Sequence, residues 1–305
     1  MKLVAALALG VVVLGWGWPR LMLRLQVRVA PRAALVIWPF AQLSFAAMVA
    51  ATACVLIFPG SVVDALSVVL RVCSNTLRSH PGLSAAAGFG VVSAIAFAAT
   101  SAAWWARRAV LARRGERERF ATALQLAGAE RPGHPGVWWF PSARPTAFCV
   151  GGIGPGIIGA STGLLECLDG RGVAAVIAHE RAHARQRHHL TTLLATTLAR
   201  VLPFVPLFAC GSAAARTLAE EAADAESARA HGAEVVASAL IAVNAAAGHA
   251  AAPSDRRILG LTTDDLSHRL DRLAATSRRS ASAVLAAAVL ALPAAGATTI
   301  YLMAC

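Results

Sequence analysis

Four stretches of the chain carry no formal charge: Leu3–Trp18, Ala33–Pro59, Gly82–Ala106 and Ser280–Cys305. A helix crosses a hydrocarbon core with about 20 apolar residues, so each stretch is long enough, or nearly so, to span a membrane. The first lies near the N-terminus, where a signal peptide competes with an anchor. Arginines rather than a small-residue cleavage site follow its apolar core, which favours an uncleaved anchor. Between the third and fourth stretches the pattern changes. Residues 109–127 read as a basic helix, and Val137–Phe140, Ala147–Val150 and Ile157–Ser161 as short strands set apart by proline and glycine turns. After Thr162 the apolar positions return to helical spacing. The pattern predicts a membrane protein, mainly α, with four transmembrane helices and an α+β unit between the third and fourth. Its parts are an N-terminal membrane domain of three spans at 1–106, the inserted unit at 107–279 and the last span at 280–305. Residues 61–80 set Val62, Val63, Leu66, Val69, Leu70 and Val72 close to helical spacing, which predicts an amphipathic helix on the outer surface.

Charge sets the sidedness, because cytoplasmic loops are enriched in Lys and Arg. Arg20, Arg24, Arg28 and Arg32 follow the first span, and Arg107, Arg108, Arg113, Arg114, Arg117 and Arg119 follow the third, whereas the loop before the third has only Arg71 and Arg78. The inserted unit is therefore expected in the cytoplasm and both termini outside, in a multi-pass protein of the cell membrane. Trp16, Trp18, Trp38, Trp104 and Trp105 fall at the cytoplasmic ends of their spans, as interfacial tryptophans do. Composition agrees. Hydrophobic residues make up 57% and charged residues only 14%, against about 25% charged in soluble domains. The net charge of +12 flanks apolar runs instead of gathering on one soluble face, so it reads as topology and no direct nucleic-acid partner is expected. The six cysteines form no C-x-x-C pair and no disulfide framework.

The chemistry sits in GVAAVIAHERAHARQRHH, residues 172–189, where His179, Glu180 and His183 form an H-E-x-x-H pattern. On a helix, positions i and i+4 share a face, so both imidazoles reach one metal ion and Glu180 stands beside it as the general base. Catalytic zinc takes three protein ligands and keeps one position open, so a third ligand is needed. Two candidates stand. His189 occupies the place of a metzincin third histidine, but Gln186 replaces the glycine that turns the chain there. The other candidate is the acidic cluster in LAEEAADAESARAHG, residues 218–232, where Glu220 precedes Asp224 by one helical turn. One carboxylate can bind zinc while the other holds a ligand histidine in the correct tautomer. Glu221, Glu226 and Glu234 read as a solvated helix face. No oxyanion stabiliser stands out among His231, His249, His268 and Arg269.

The run AFCVGGIGPGIIGASTGLLECLDGRGVAAVIAHERAHARQRHHL, followed some thirty residues later by EEAAD, resembles the BlaR/MecR-type integral membrane zinc metallopeptidases and, more distantly, the HtpX and CAAX-prenyl endopeptidase group. The resemblance covers residues 145–232 and extends to the order of the spans. It implies one zinc ion per chain held by His179, His183 and Glu220, with Asp224 supporting a ligand and Glu180 as the catalytic base. It also implies that the strand Ala147–Val150 is an edge to which an extended substrate adds.

The chain stops short of any penicillin-binding domain, and with Lys2 as its only lysine it has no S-x-x-K acylation motif, so covalent β-lactam binding is not expected. What the resemblance leaves is regulated proteolysis of a cytoplasmic or membrane-adjacent protein such as a transcriptional repressor. HtpX-like quality control and a non-catalytic membrane scaffold are the alternatives. Residues 188–210 are apolar enough to suggest a fifth span, but a single crossing there would separate Glu220 from His179. The segment is therefore expected as a buried helix, a re-entrant hairpin bent near Pro203 and Pro206, or a layer on the membrane surface.

Overall fold

A computed structural model describes residues 8–25, 29–57, 83–130, 133–150, 156–250 and 263–276. The expected outer helix at 61–80 and last span at 280–305 lie outside the described residues. Two described helices are long and apolar enough to cross a membrane, α1 (Ala8–Leu25) and α2 (Pro31–Ile57). Helix α1 runs past the expected end at Trp18, so Arg20 and Arg24 belong to its last turns; Arg20 donates to the Trp16 carbonyl. Helix α3 (Leu83–Ala127) joins the expected third span and the basic helix into one rod of 45 residues. No proline interrupts it, so the chain changes polarity without changing conformation.

Three of the four strands have the expected limits: β2 (Val137–Phe140), β3 (Ala147–Val150) and β4 (Ile157–Ser161). A two-residue strand, β1 (Ala129–Glu130), adds to them. The sheet order is β1-β2-β4-β3, with β2 and β4 parallel and the other pairs antiparallel, which leaves β3 at an edge. Val137, Trp139, Ile158 and Ala160 point to one face and pack with Leu164, Val173 and Ile177 of the following helices. Burial of an apolar side chain of this size contributes about 1.5–3 kcal/mol.

Those helices are α4 (Gly163–Cys167) and α5 (Gly170–Gln186). The Asp169 carboxylate accepts from the Gly172 amide at 2.7 Å and caps α5, which carries the H-E-x-x-H residues. Helix α5 stops at Arg187, whose φ of 51° is left-handed, and α6 (His188–Val201) starts at once in a new direction. The chain breaks again after Leu202, and α7 (Pro206–His231) begins with proline in its first turn. The apolar stretch 188–210 is thus two helices meeting at a corner, and Glu220 returns to His179.

The corner and α7 pack on α1 and α2. Val205, Leu207, Phe208, Ala214, Leu218 and Ala222 share one core with Leu14, Trp18, Met22, Trp38 and Phe45. The Phe45 and Phe208 rings meet edge-on at 5.5 Å. Trp18 and Trp38, expected at a lipid interface, are 6% and 2% exposed, because α7 covers them. Trp16 and Trp104 are exposed, and Arg108 stacks on Trp104 at 4.8 Å. Helices α8 (Ala233–Ala250) and α9 (Thr263–Thr276) complete the described fold.

Candidate metal centre

Helices α5 and α7 cross so that an i, i+4 pair from each meets. The His179 and His183 Nε2 atoms are 3.1 Å apart, and the two Glu220 carboxylate oxygens lie 3.4 Å from them, one each. Among the described residues this trio is a cluster whose ligand atoms all fall within 4.8 Å of one another. Ligands of a tetrahedral zinc ion at about 2.0–2.1 Å are separated by about 3.3 Å, so the donor set fits that ion in type and spacing. Asp224 supports it from behind: the His179 Nδ1–H donates to Asp224 Oδ1 at 2.8 Å. The same carboxylate accepts two bonds from Arg269 on α9, both 2.7 Å, and Arg269 Nη1 lies 3.4 Å from Glu220. Arg269 and Asp224 are 5% and 2% exposed, so each neutralises a charge that would otherwise be buried alone.

Electrostatics follow from this packing. Burial alone would depress His179, but hydrogen bonds to Asp224 and Glu220 outweigh it and push the imidazole up to about 10. Burial raises Glu220 and Asp224, yet their histidine partners, and Arg269 for Asp224, hold both below the carboxylate range. A proton on His179 thus occupies electrostatically the place a cation would take. Glu180 behaves differently, because burial raises it more than His179 and His183 lower it. It lines the same cavity of about 780 Å³, together with edge strand β3. Cys149 of that strand is pushed up to about 11, first by burial and then by the Glu180 charge.

The structure brings together Glu180, His179, His183, Glu220 and Asp224. His189 lines the cavity, but Glu220 is the third member of the ligand cluster. Glu221 is not a solvated residue: it is 5% exposed, accepts from Arg272 at 2.8 Å and lies 3.4 Å from His268. Glu226 is likewise engaged, by Arg32, Arg185 and Arg229. His231 ends α7, and Arg269 serves the Asp224 carboxylate. Four further contributors emerge only in three dimensions: His188, Gln186, Arg272 and Ser227. The Ser227 hydroxyl is fully buried and donates to the Ala175 carbonyl at 2.7 Å, tying α7 to α5.

Two histidines one turn apart on a capped helix, a glutamate from a second helix and an edge strand alongside make up a candidate metal site of the two-His, one-Glu type. The chain belongs to peptidase family M48, whose profile matches residues 112–287. It is similar to proteins named "Protease HtpX homolog": 29% identical over 150 residues to that of Aquifex aeolicus (strain VF5), covering 43% of this chain and 49% of the relative. The corresponding protein of Acidiphilium cryptum (strain JF-5) is 35% identical over 130 residues, 39% of this chain and 45% of the relative. That of Salinibacter ruber (strain DSM 13855 / M31) is 36% identical over 76 residues, 25% and 28%. The chain spans about half or less of the length of these relatives. No solved structure matches.

Proposed function

We propose that the chain is an integral membrane zinc endopeptidase that hydrolyses peptide bonds in a cytoplasmic or membrane-adjacent protein. The observation that carries this reading is the convergence of His179, His183 and Glu220 at ligand spacing, with Glu180 in the same cavity. When bound, zinc supplies Lewis acidity toward the scissile carbonyl and an attacking water acidified to a pKa of about 7. The protein does the rest. Asp224 holds His179 with Nε2 toward the centre, and Arg269 holds Asp224. Glu180, raised by burial, takes the water proton and returns it to the leaving nitrogen. Strand β3 offers main-chain groups along the cavity for an extended peptide.

The span order supports a BlaR/MecR-type arrangement, with four spans and the peptidase unit on the cytoplasmic side of the cell membrane. The role that goes with it is regulated proteolysis, with a protein such as a transcriptional repressor as substrate. A second reading, membrane-protein quality control, rests on the names of the relatives. Glu180→Gln tests the shared chemistry: zinc by elemental analysis stays at about one per chain, while proteolysis falls by about 10²–10⁴-fold. Full proteolysis in Glu180→Gln would overturn the catalytic assignment. Comparing the proteomes of cells carrying wild type and Glu180→Gln then separates the roles, one accumulating substrate for signalling and many for quality control.

A further inference from the structure

The two candidate ligand histidines are supported by different chemistry. His179 Nδ1 faces a carboxylate, whereas His183 Nδ1 lies 3.0 Å from the Nδ1 of His188, and His188 Nε2 lies 3.0 Å from Gln186 Oε1. His188 is 3% exposed and first in α6, so the left-handed turn at Arg187 delivers it there. The Gln186 Nε2 atom is buried without a partner among the described residues, so the amide is held by its carbonyl end alone.

A hydrogen bond between two imidazole nitrogens needs one donor and one acceptor, and each neutral ring has one of each. For His183 to offer a bare Nε2 to a metal, its proton must sit on Nδ1. His188 must then accept at Nδ1 and carry its own proton on Nε2, and Gln186 must present its carbonyl oxygen. That is the arrangement of this amide. The opposite amide orientation would run every bond backwards and place a proton on His183 Nε2, where it blocks ligation.

We propose that His188 and Gln186 are positioning residues that set the His183 tautomer for metal binding through a neutral hydrogen-bond relay. The proposal rests on the reading of His183 as a ligand. Loss of such a supporting partner costs about 10–100-fold in metal affinity.

The test is zinc affinity of the full chain in detergent, measured by competition with a chromophoric chelator, with melting temperature as a folding control. His188→Leu, which keeps bulk but accepts nothing, weakens zinc about 10–100-fold. His188→Asn puts a neutral carbonyl oxygen near the place of Nδ1 and restores affinity to within a few-fold of wild type. Gln186→Leu weakens zinc by a smaller factor and Gln186→Glu, an obligate acceptor, does not weaken it. His183→Ala separates the two levels of the argument. If it keeps zinc, the ligand reading fails and the relay with it. If it loses zinc while His188→Leu binds like wild type, or while Asn at position 188 is as weak as Leu, the ligand reading stands and the relay is overturned. If a position 188 variant does not fold, the Gln186 pair decides, and equal behaviour of Leu and Glu there overturns the proposal.

Discussion

Helices α5 and α7 supply the same centre by opposite means. Helix α5 is capped by Asp169, rests on the sheet and carries His179, Glu180 and His183 within five consecutive positions. Helix α7 is longer, packs one side against α1 and α2 and presents Glu220 and Asp224 from another. The first helix is local and tied to the sheet core, and the second reaches from the apolar N-terminal helices to the candidate ligand cluster. Ligand geometry therefore depends on how the two cores sit against each other. Among the described residues, buried polar contacts fix that relation: Asp224 to His179, and Ser227 to Ala175.

The largest break in this comparison is Glu220→Ala. It removes the candidate ligand that α7 contributes, so zinc is expected to be lost on elemental analysis, while His189→Ala keeps it. The reverse result would move the third ligand to α6. Next is Arg269→Met, which leaves protonated His179 as the remaining charged partner, among the described residues, of the buried Asp224 carboxylate in the metal-free protein. Removing one member of a buried ion pair costs at most about 3–5 kcal/mol, read as a fall in melting temperature of the metal-free protein.

Proton linkage gives an effect that can be sharpened. His179 has its folded value raised from 6.5 to about 10, so in the metal-free protein it adds stability that is complete below pH 6.5 and is lost as pH climbs toward 10. Zinc must displace that proton, so apparent zinc affinity rises by about tenfold per pH unit over the same range. Asp224→Asn removes a main cause of the raised value and confines both dependences to lower pH. Chelator titrations at several pH values check this, and a slope unchanged in Asp224→Asn would show that Asp224 does not hold the proton.

How much of this was legible depended on whether the signal was local. The strands at 137–140, 147–150 and 157–161 were readable from alternation and turn residues, and His179 and His183 from spacing on one helix. Polarity alone could not show that α3 continues through Arg107, since a change of solvent does not end a helix. Nor could it show what covers Trp18 and Trp38, because lipid and an alanine-rich helix demand the same apolar surface. The role of His188 was hidden by Arg187. A left-handed arginine has no sequence signal of the kind glycine provides, and a continuous helix would carry His188 off the ligand face. Arg269 and Arg272 act on carboxylates 45 and 51 positions away, beyond the reach of spacing arguments.

On the face of α7 that packs against α2, Gly211 permits close approach of the two helices. A Cβ there would sit 2.6 Å from Gln42 Nε2 and 3.2 Å from the Trp38 ring. Gly211→Leu therefore forces α2 and α7 apart at a cost of about 1–3 kcal/mol. Because α7 carries Glu220, zinc affinity falls along with the melting temperature. A lower melting temperature with unchanged zinc affinity would show that the two faces of α7 act independently.

The smallest effect comes from the neutral tie between the helices. Ser227→Ala removes a buried hydroxyl and the bond it donates to Ala175, at about 1 kcal/mol. The Ala175 carbonyl lies within α5 and retains its helical acceptor role, so little desolvation penalty remains. Glu220, His179 and His183 keep their side chains in this variant, and any change in zinc affinity reports relative movement of α5 and α7. A double-mutant cycle with Gly211→Leu isolates that movement. Additive losses in zinc affinity would mean that the α2 contact and the serine tie act independently. A loss larger than the sum would mean that they hold the same degree of freedom, the position of α7 against α5, on which the metal centre depends.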